Sequence, residues 1–270
     1  MILTVSHVTT YRYDAPIRAA VQSLRLTPSV YDGQRAINWK IEVDGGARGT
    51  SFRDGSGDVI ESWSVKGPVE EITVRVSGEV ATTDMAGVLR GFRESVPPEA
   101  WLRETHPTRA DAALTAMAEK ARAGARDTLD FAHRLSEAVS EAIAYTPGAT
   151  EAHTTAAEAL ALGEGVCQDH AHAMIAAARA LFIPARYVSG YLLADAEGKS
   201  HDAAHAWAEI WIDGLGWVGF DAANACCPDE RYIRLGSGFD AQDAAPIRGV
   251  ALGQTAETLD VAVAVAAVQQ

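Results

Sequence analysis

Cysteine is scarce in this chain: Cys167, Cys226 and Cys227 are the only three among 270 residues. Three thiols, two of them adjacent, do not make a disulfide framework, so a buried core must hold the fold and a reducing, cytoplasmic home is expected. Positive charge is short as well. Against 36 Asp and Glu stand 23 Lys and Arg, a formal net charge of −13. That balance argues against nucleic acid as a partner, because phosphate binding requires a basic face. It mildly favours neutral or basic substrates, and its plainer role is solubility. No apolar run reaches membrane-spanning length, so no membrane partner is expected. The alternating VAVAVAAV, Val261 to Val268, is far too short and reads as a strand. At the amino terminus, MILTVSHVTTYRYDAP has no basic segment leading into an apolar run, so no secretory signal is expected. Nothing in the sequence sets an oligomeric state.

What is present reads as two regions. Up to about Thr83, LTVSHVTTYRY, INWKIEV, DVIESWSV and EITVRVSGEV carry β-branched and aromatic residues at period two, with Asp32-Gly33, Asp44-Gly45 and Asp54-Gly55 as turns between them. This predicts an antiparallel, sandwich-like β domain over residues 1–90. The texture then changes. Helices are expected from about Arg109 to Ala123, stopping at Gly124, and after Asp127, with Leu129, Leu135, Val139 and Ile143 on one side. Thr155-Ala156-Ala157-Glu158 is a capping box, closed off by Gly163. Val166 to Phe182 should form one helix, ended by Ile183-Pro184. Strand-like RYVSGYLL, HAWAEIWI and WVGFD follow, so residues 91–270 read as an α+β domain.

The segment GVCQDHAH, Gly165 to His172, concentrates the reactive residues. Cys167 falls in the first turn of its helix, where free amides and the positive dipole end stabilise a thiolate. Gly163-Glu164-Gly165 before it leaves backbone room for a ligand. The competing reading is a small buried hydrophobe. His170, three residues on, shares the cysteine's side and suits a base, a metal ligand or a filler against the sheet. His172 lies about 140° around the axis and faces elsewhere, on a solvated or packed face. Zinc is the metal alternative, with Cys167 and His170 joined by two of Cys226, Cys227, His201 and His205. No Cys-x-x-Cys unit supports it, so neither a metal nor another cofactor is expected.

A cysteine nucleophile requires an imidazole to take its proton and a third group to orient that imidazole. HAWAEIWI places His205, Trp207, Glu209 and Trp211 on one strand face, and a hairpin through Asp213-Gly214-Leu215-Gly216 returns WVGFD, ending at Asp221, alongside it. Taken singly, His205 is also a strand-end surface residue and Asp221 a strand terminator. Taken together, GVCQDHAHAMIAAARALFIPARYVSGYL and HAWAEIWIDGLGWVGFDAAN resemble the transglutaminase-like superfamily of papain-type cysteine enzymes, in the order and spacing of its Cys, His and Asp motifs. TTYRYDAP and LRLTPS resemble the β domain of its bacterial members. The resemblance implies Cys167 as nucleophile, His205 as base and Asp221 as orienting acid. Relatives usually carry glycine at Phe182, an aromatic at His170, Pro-Thr at Ala222-Ala223, and a different tail at Gly238 to Asp243. The match at His170 favours packing over a second base.

The implied chemistry is acyl transfer at an amide through a thioester, with hydrolysis of a peptide or protein substrate as the expected outcome. Transamidation of protein glutamine, an arylamine acetyltransferase-like reaction and a non-catalytic binding module are the alternatives. The oxyanion would receive the Cys167 N–H, with Tyr145 or Gln168 as second donor. Trp207, Trp211 and Trp217 either wall the cleft or belong to the core. Geometry adds one requirement. Opposed residues in a hairpin have numbers of constant sum, which must be even for His205 and Asp221 to share a face. Two-residue turns give odd sums. An odd-length loop or bulge is therefore expected, with Gly214 or Gly216 at positive φ, and a sum of 428 would set Asp221 opposite Trp207, diagonal to His205.

Overall fold

The alternation at the amino terminus runs well past LTVSHVTTYRY and forms one strand, β1, Ile2–Leu24. The computed structural model describes residues 1–193, 204–253 and 255–268. Strands β2 (Gln34–Val43), β3 (Gly46–Arg53) and β4 (Val59–Thr82) follow. DVIESWSV and EITVRVSGEV, expected as separate strands, are the two ends of β4. Both pair with β1, whose register shifts between Arg12 and Ile17 and again before Ala19. Beyond that break β3 lies along the first half of β4, and before it β2 lies along the second half. Inward side chains from both limbs, among them Leu3, Ile17, Leu24, Val65, Ile72 and Val74, make one buried cluster. One six-stranded sheet supplies most of this core, and Tyr191, Ile233 and Leu235 from later in the chain complete it.

After a 3-10 turn at Pro98–Leu102 come the helices. Asp111 accepts the Leu114 N–H as N-cap, so α1 is Ala112–Ala123 and starts three residues later than expected. Asp127 caps α2, Thr128–Ala142, whose Phe131, Leu135 and Val139 are buried. Strand β5 (Ala144–Tyr145) leads to α3 (Ala156–Leu162), which has the Thr155–Glu158 capping box and Gly163 at φ 72°. Strand β6 (Glu164–Gly165) precedes α4, Cys167–Ala180. Every residue of α4 from Asp169 to Arg179 is buried. Three helices pack on one side of it and a sheet on the other, and its run of alanines lets all of them approach closely.

That second sheet contains β7 (Ala185–Leu192), β8 (Ala204–Ile212), β9 (Gly216–Phe220) and β10 (Tyr232–Gly238), in the order β10-β7-β8-β9. Ala206, Ala208 and Ile210 of β8 face the helices, and Trp207 and Glu209 between them point to the opposite face. The last strands, β11 (Ile247–Leu252) and β12 (Glu257–Ala267), return to β1 and complete the first sheet. The VAVAVAAV strand is therefore part of the amino-terminal sheet, although it follows the second sheet in the chain. A buried chain of charges joins the two layers. Asp58 binds Arg234 at 2.9 Å, Arg234 binds Glu209 at 2.8 Å, Glu209 binds Arg186 at 2.6 Å, and Arg186 also pairs with Glu94. No helix among the described residues is long and apolar enough to cross a membrane.

Candidate active site

Cys167 opens α4, half-buried, and as the first helical residue its N–H has no partner within the helix. Asp169 builds the turn. Its Oδ2 accepts the Val166 N–H at 2.8 Å and the Thr150 hydroxyl at 2.6 Å. A Cβ on Gly165 would lie 2.7 Å from that of Asp169. The room expected beside Gly165 is therefore filled by Asp169 rather than left for a ligand. Tyr145 pairs with Gly165 across β5 and β6, next to the cysteine turn. Gln168 is engaged elsewhere, donating to the Ala152 carbonyl at 3.2 Å.

The β8–β9 hairpin has the register that a shared face demands. Ala208 opposes Phe220 and Ile212 opposes Gly216, a constant sum of 428 across a three-residue loop. Gly214 and Gly216 take φ of 83° and 84°, which glycine adopts at little steric cost. Asp221, one step past the ladder, is 1% exposed. His205 Nε2 donates to its Oδ2 at 2.6 Å. Because Asp221 occupies Nε2, Nδ1 is the ring nitrogen left for Cys167, which stands near enough to raise the imidazole's proton affinity. Burial disfavours the imidazolium, but the hydrogen bonds and charges of Asp221 and Cys167 outweigh it and push His205 up to about 10. Burial likewise works against the Asp221 anion, and its bonds from His205, Asn224 and Tyr232 prevail to hold the carboxyl below its usual value.

Two contributors had no role in the sequence reading. Asn224 Nδ2 donates to Asp221 Oδ2 at 2.7 Å, and the Tyr232 hydroxyl donates to the same oxygen at 2.8 Å. The Ala223 and Asn224 backbone amides donate to Oδ1 at 3.1 and 3.2 Å, in a turn closed by two bonds between the Asp221 and Cys226 backbones. The Asp-x-x-Asn spacing signals such a turn. No local signal points to Tyr232.

The remaining candidates separate. His170 is buried with both ring nitrogens 2.8 Å from the carbonyl oxygens of Val166 and Ile143, so it is built into packing and not aimed at Cys167. His172 is buried against Tyr187 and accepts the Ala241 N–H, and burial lowers it to about 4. Cys226 and Cys227 are half-buried, and burial pushes both thiols up, Cys227 to about 11. His201 lies outside the described residues, and among those described no three His, Cys, Asp or Glu side chains gather as a metal site requires. Of the tryptophans, Trp207 touches the site, its ring 6.3 Å from that of His205. Trp217 instead lies over Arg186 and donates to Glu94, and Trp211 packs against Trp217.

Residues 115–222 match the transglutaminase-like superfamily model, and residues 3–81 match the bacterial transglutaminase-like N-terminal region. An uncharacterized protein of Mycobacterium leprae is 30% identical over 97% of both chains. The chain belongs to the transglutaminase-like superfamily. An uncharacterized protein of Mycobacterium bovis is also 30% identical, over 91% of this chain and 86% of its own. Among solved structures, a Cytophaga hutchinsonii protein provisionally assigned as a cysteine protease shares the fold, with a TM-score of 0.75 at 21% identity over 100% of this chain and 92% of its own.

Proposed function

We propose that this superfamily member performs cysteine-dependent acyl transfer at an amide bond, with hydrolysis of a peptide or protein as its reaction. One observation carries the reading: His205 is held by Asp221 through Nε2, which leaves Nδ1 for a cysteine at a helix start. Cys167 acts as the thiolate and His205 as the imidazolium. The sulfur attacks the amide carbon, and the carbonyl electron pair becomes an oxyanion facing the Cys167 N–H. Collapse breaks the C–N bond as His205 gives its proton to the departing amine, which leaves a thioester. Water then attacks, His205 takes a proton from it, and the thiolate leaves as the acid is released. Asp221 stays ionised throughout and holds the ring in position. The assignment carried by the Cytophaga hutchinsonii fold relative supports water over an amine as acceptor.

The test is mass spectrometry of a peptide library incubated with the protein, with and without a primary amine. New termini are expected in both arms. Amine adducts without cleavage would replace hydrolysis with transamidation. Cys167→Ala should abolish turnover while leaving the thermal transition in place, and retained turnover would remove the covalent mechanism.

A further inference from the structure

Asp221 receives more donors than an orienting carboxylate requires. Two backbone amides reach Oδ1, and His205, Asn224 and Tyr232 all reach Oδ2. Tyr232 comes from the far side of the fold, since β10 and β9 are opposite edges of the second sheet. Its ring is 3% exposed and stands edge-on to Trp207 at 5.6 Å, so packing fixes where the hydroxyl points. On its other side the Cys226 thiol donates to the phenol oxygen at 3.3 Å.

We propose that Tyr232 is a positioning residue that limits how tightly Asp221 holds the His205 proton, so that the imidazolium can release it to a leaving amine. The proposal rests on the Cys167–His205–Asp221 reading above. A donor to a carboxylate stabilises the anion and weakens its pull on every other proton around it. A general acid must surrender its proton, and works best when its affinity lies near the working pH. His205 is already held well above its usual value by Asp221 and Cys167 despite burial, so an Asp221 with fewer donors would hold it too firmly. Burial, and then the Asp221 charge, keep the Tyr232 phenol far above its usual range, so it is a permanent donor. The other titratable groups facing this cluster are Cys167 from α4, His205 from β8, Cys226 in the turn, and the Asp229–Arg231 pair beside Tyr232. Neither Asp229 nor Arg231 bonds to Asp221.

Tyr232→Phe keeps the ring and removes only the hydroxyl. Two readouts on the full chain test the idea: amide turnover, and the rate at which iodoacetamide alkylates Cys167, mapped by peptide mass from acid to alkaline pH. Turnover is expected to fall about tenfold, equivalent to one unit of proton affinity. Alkylation at acid pH is expected to hold or rise, with its acid limb displaced to lower pH, because a firmer imidazolium stabilises the thiolate. A packing defect would slow both rates together, and an inert hydroxyl would change neither. Either result overturns the proposal. If the wild type alkylates rapidly yet turns over no amide, the hydrolase reading fails separately. The acid limb of the variant, displaced or superposed on the wild type, then still decides the role of Tyr232.

Discussion

Replacing Glu209 with Gln probes the charge chain that joins the two sheets. Glu209 is 2% exposed, with Oε2 2.6 Å from Arg186 Nε and Oε1 2.8 Å from Arg234 Nε. Gln fills the same volume but turns an NH2 group toward one guanidinium, donor against donor. Arg186 then keeps Glu94 and Arg234 keeps Asp58, leaving two buried cations with one carboxylate each. Each guanidinium loses a hydrogen bond to a charged partner worth about 1.5–3 kcal/mol, so the substitution should cost about 3 kcal/mol or more. With a urea m value of roughly 1–3 kcal/mol/M, the midpoint should fall by about 1 M or more. The pH dependence has a definite sign. Burial pushes the Glu209 carboxyl up, but Arg234 and Arg186 outweigh it and hold it below its ordinary 4.5. Its contribution is thus complete above 4.5 and lost as pH falls through the lowered value, so the gap between wild type and variant should close in acid. An unchanged midpoint at neutral pH, or a gap that persists in strong acid, would refute the reasoning.

Asp221→Asn should lower amide turnover at neutral pH by roughly 10³–10⁴-fold, by analogy with the same loss in other triads. Without the carboxylate, burial dominates and His205 drops; the wild-type stability from its imidazolium, complete below 6.5 and lost as pH rises through about 10, should vanish from pH-dependent unfolding curves. Phe182 is 83% exposed at φ 58°, a conformation that costs a non-glycine residue roughly 1–2 kcal/mol. Phe182→Gly should therefore raise the thermal midpoint by a few degrees, and a lower midpoint would count against strain at this position. Alanine at both Cys226 and Cys227 should leave turnover within about twofold, since Tyr232 keeps its bond to Asp221; a tenfold loss would give the thiols a part in the chemistry.

Much of the site was legible because its signals are local. A cysteine at a helix start is visible in Gly165-Val166-Cys167, and the need for an odd-length hairpin loop follows from strand periodicity alone. Asp127 and Thr155 mark their helix starts for the same reason, since a cap acts within a few residues, whereas the Asp111 cap sets a start three residues after the one expected. Residues that interact across the chain left no such trace. Tyr232 reads as one more aromatic in a strand until β10 is placed across the sheet from β9, and only then does its hydroxyl meet Asp221.

The amino-acid sequence by itself determined the Asp127 and Thr155 helix caps, the alternating strand faces, and the placing of Cys167 at a helix start, His205 on a hairpin strand and Asp221 just past the end of its partner strand. Each depends on backbone periodicity and near-neighbour hydrogen bonds. Tertiary structure alone decided that the final strands return to β1, that β4 is one strand and not two, and that Glu209 stands between two buried arginines. It also decided that His170 is spent on two carbonyls and that Gly165 makes room for Asp169. Sheet order, burial and charge pairing are set by contacts between segments far apart in the chain, and those contacts exist only once the layers have packed.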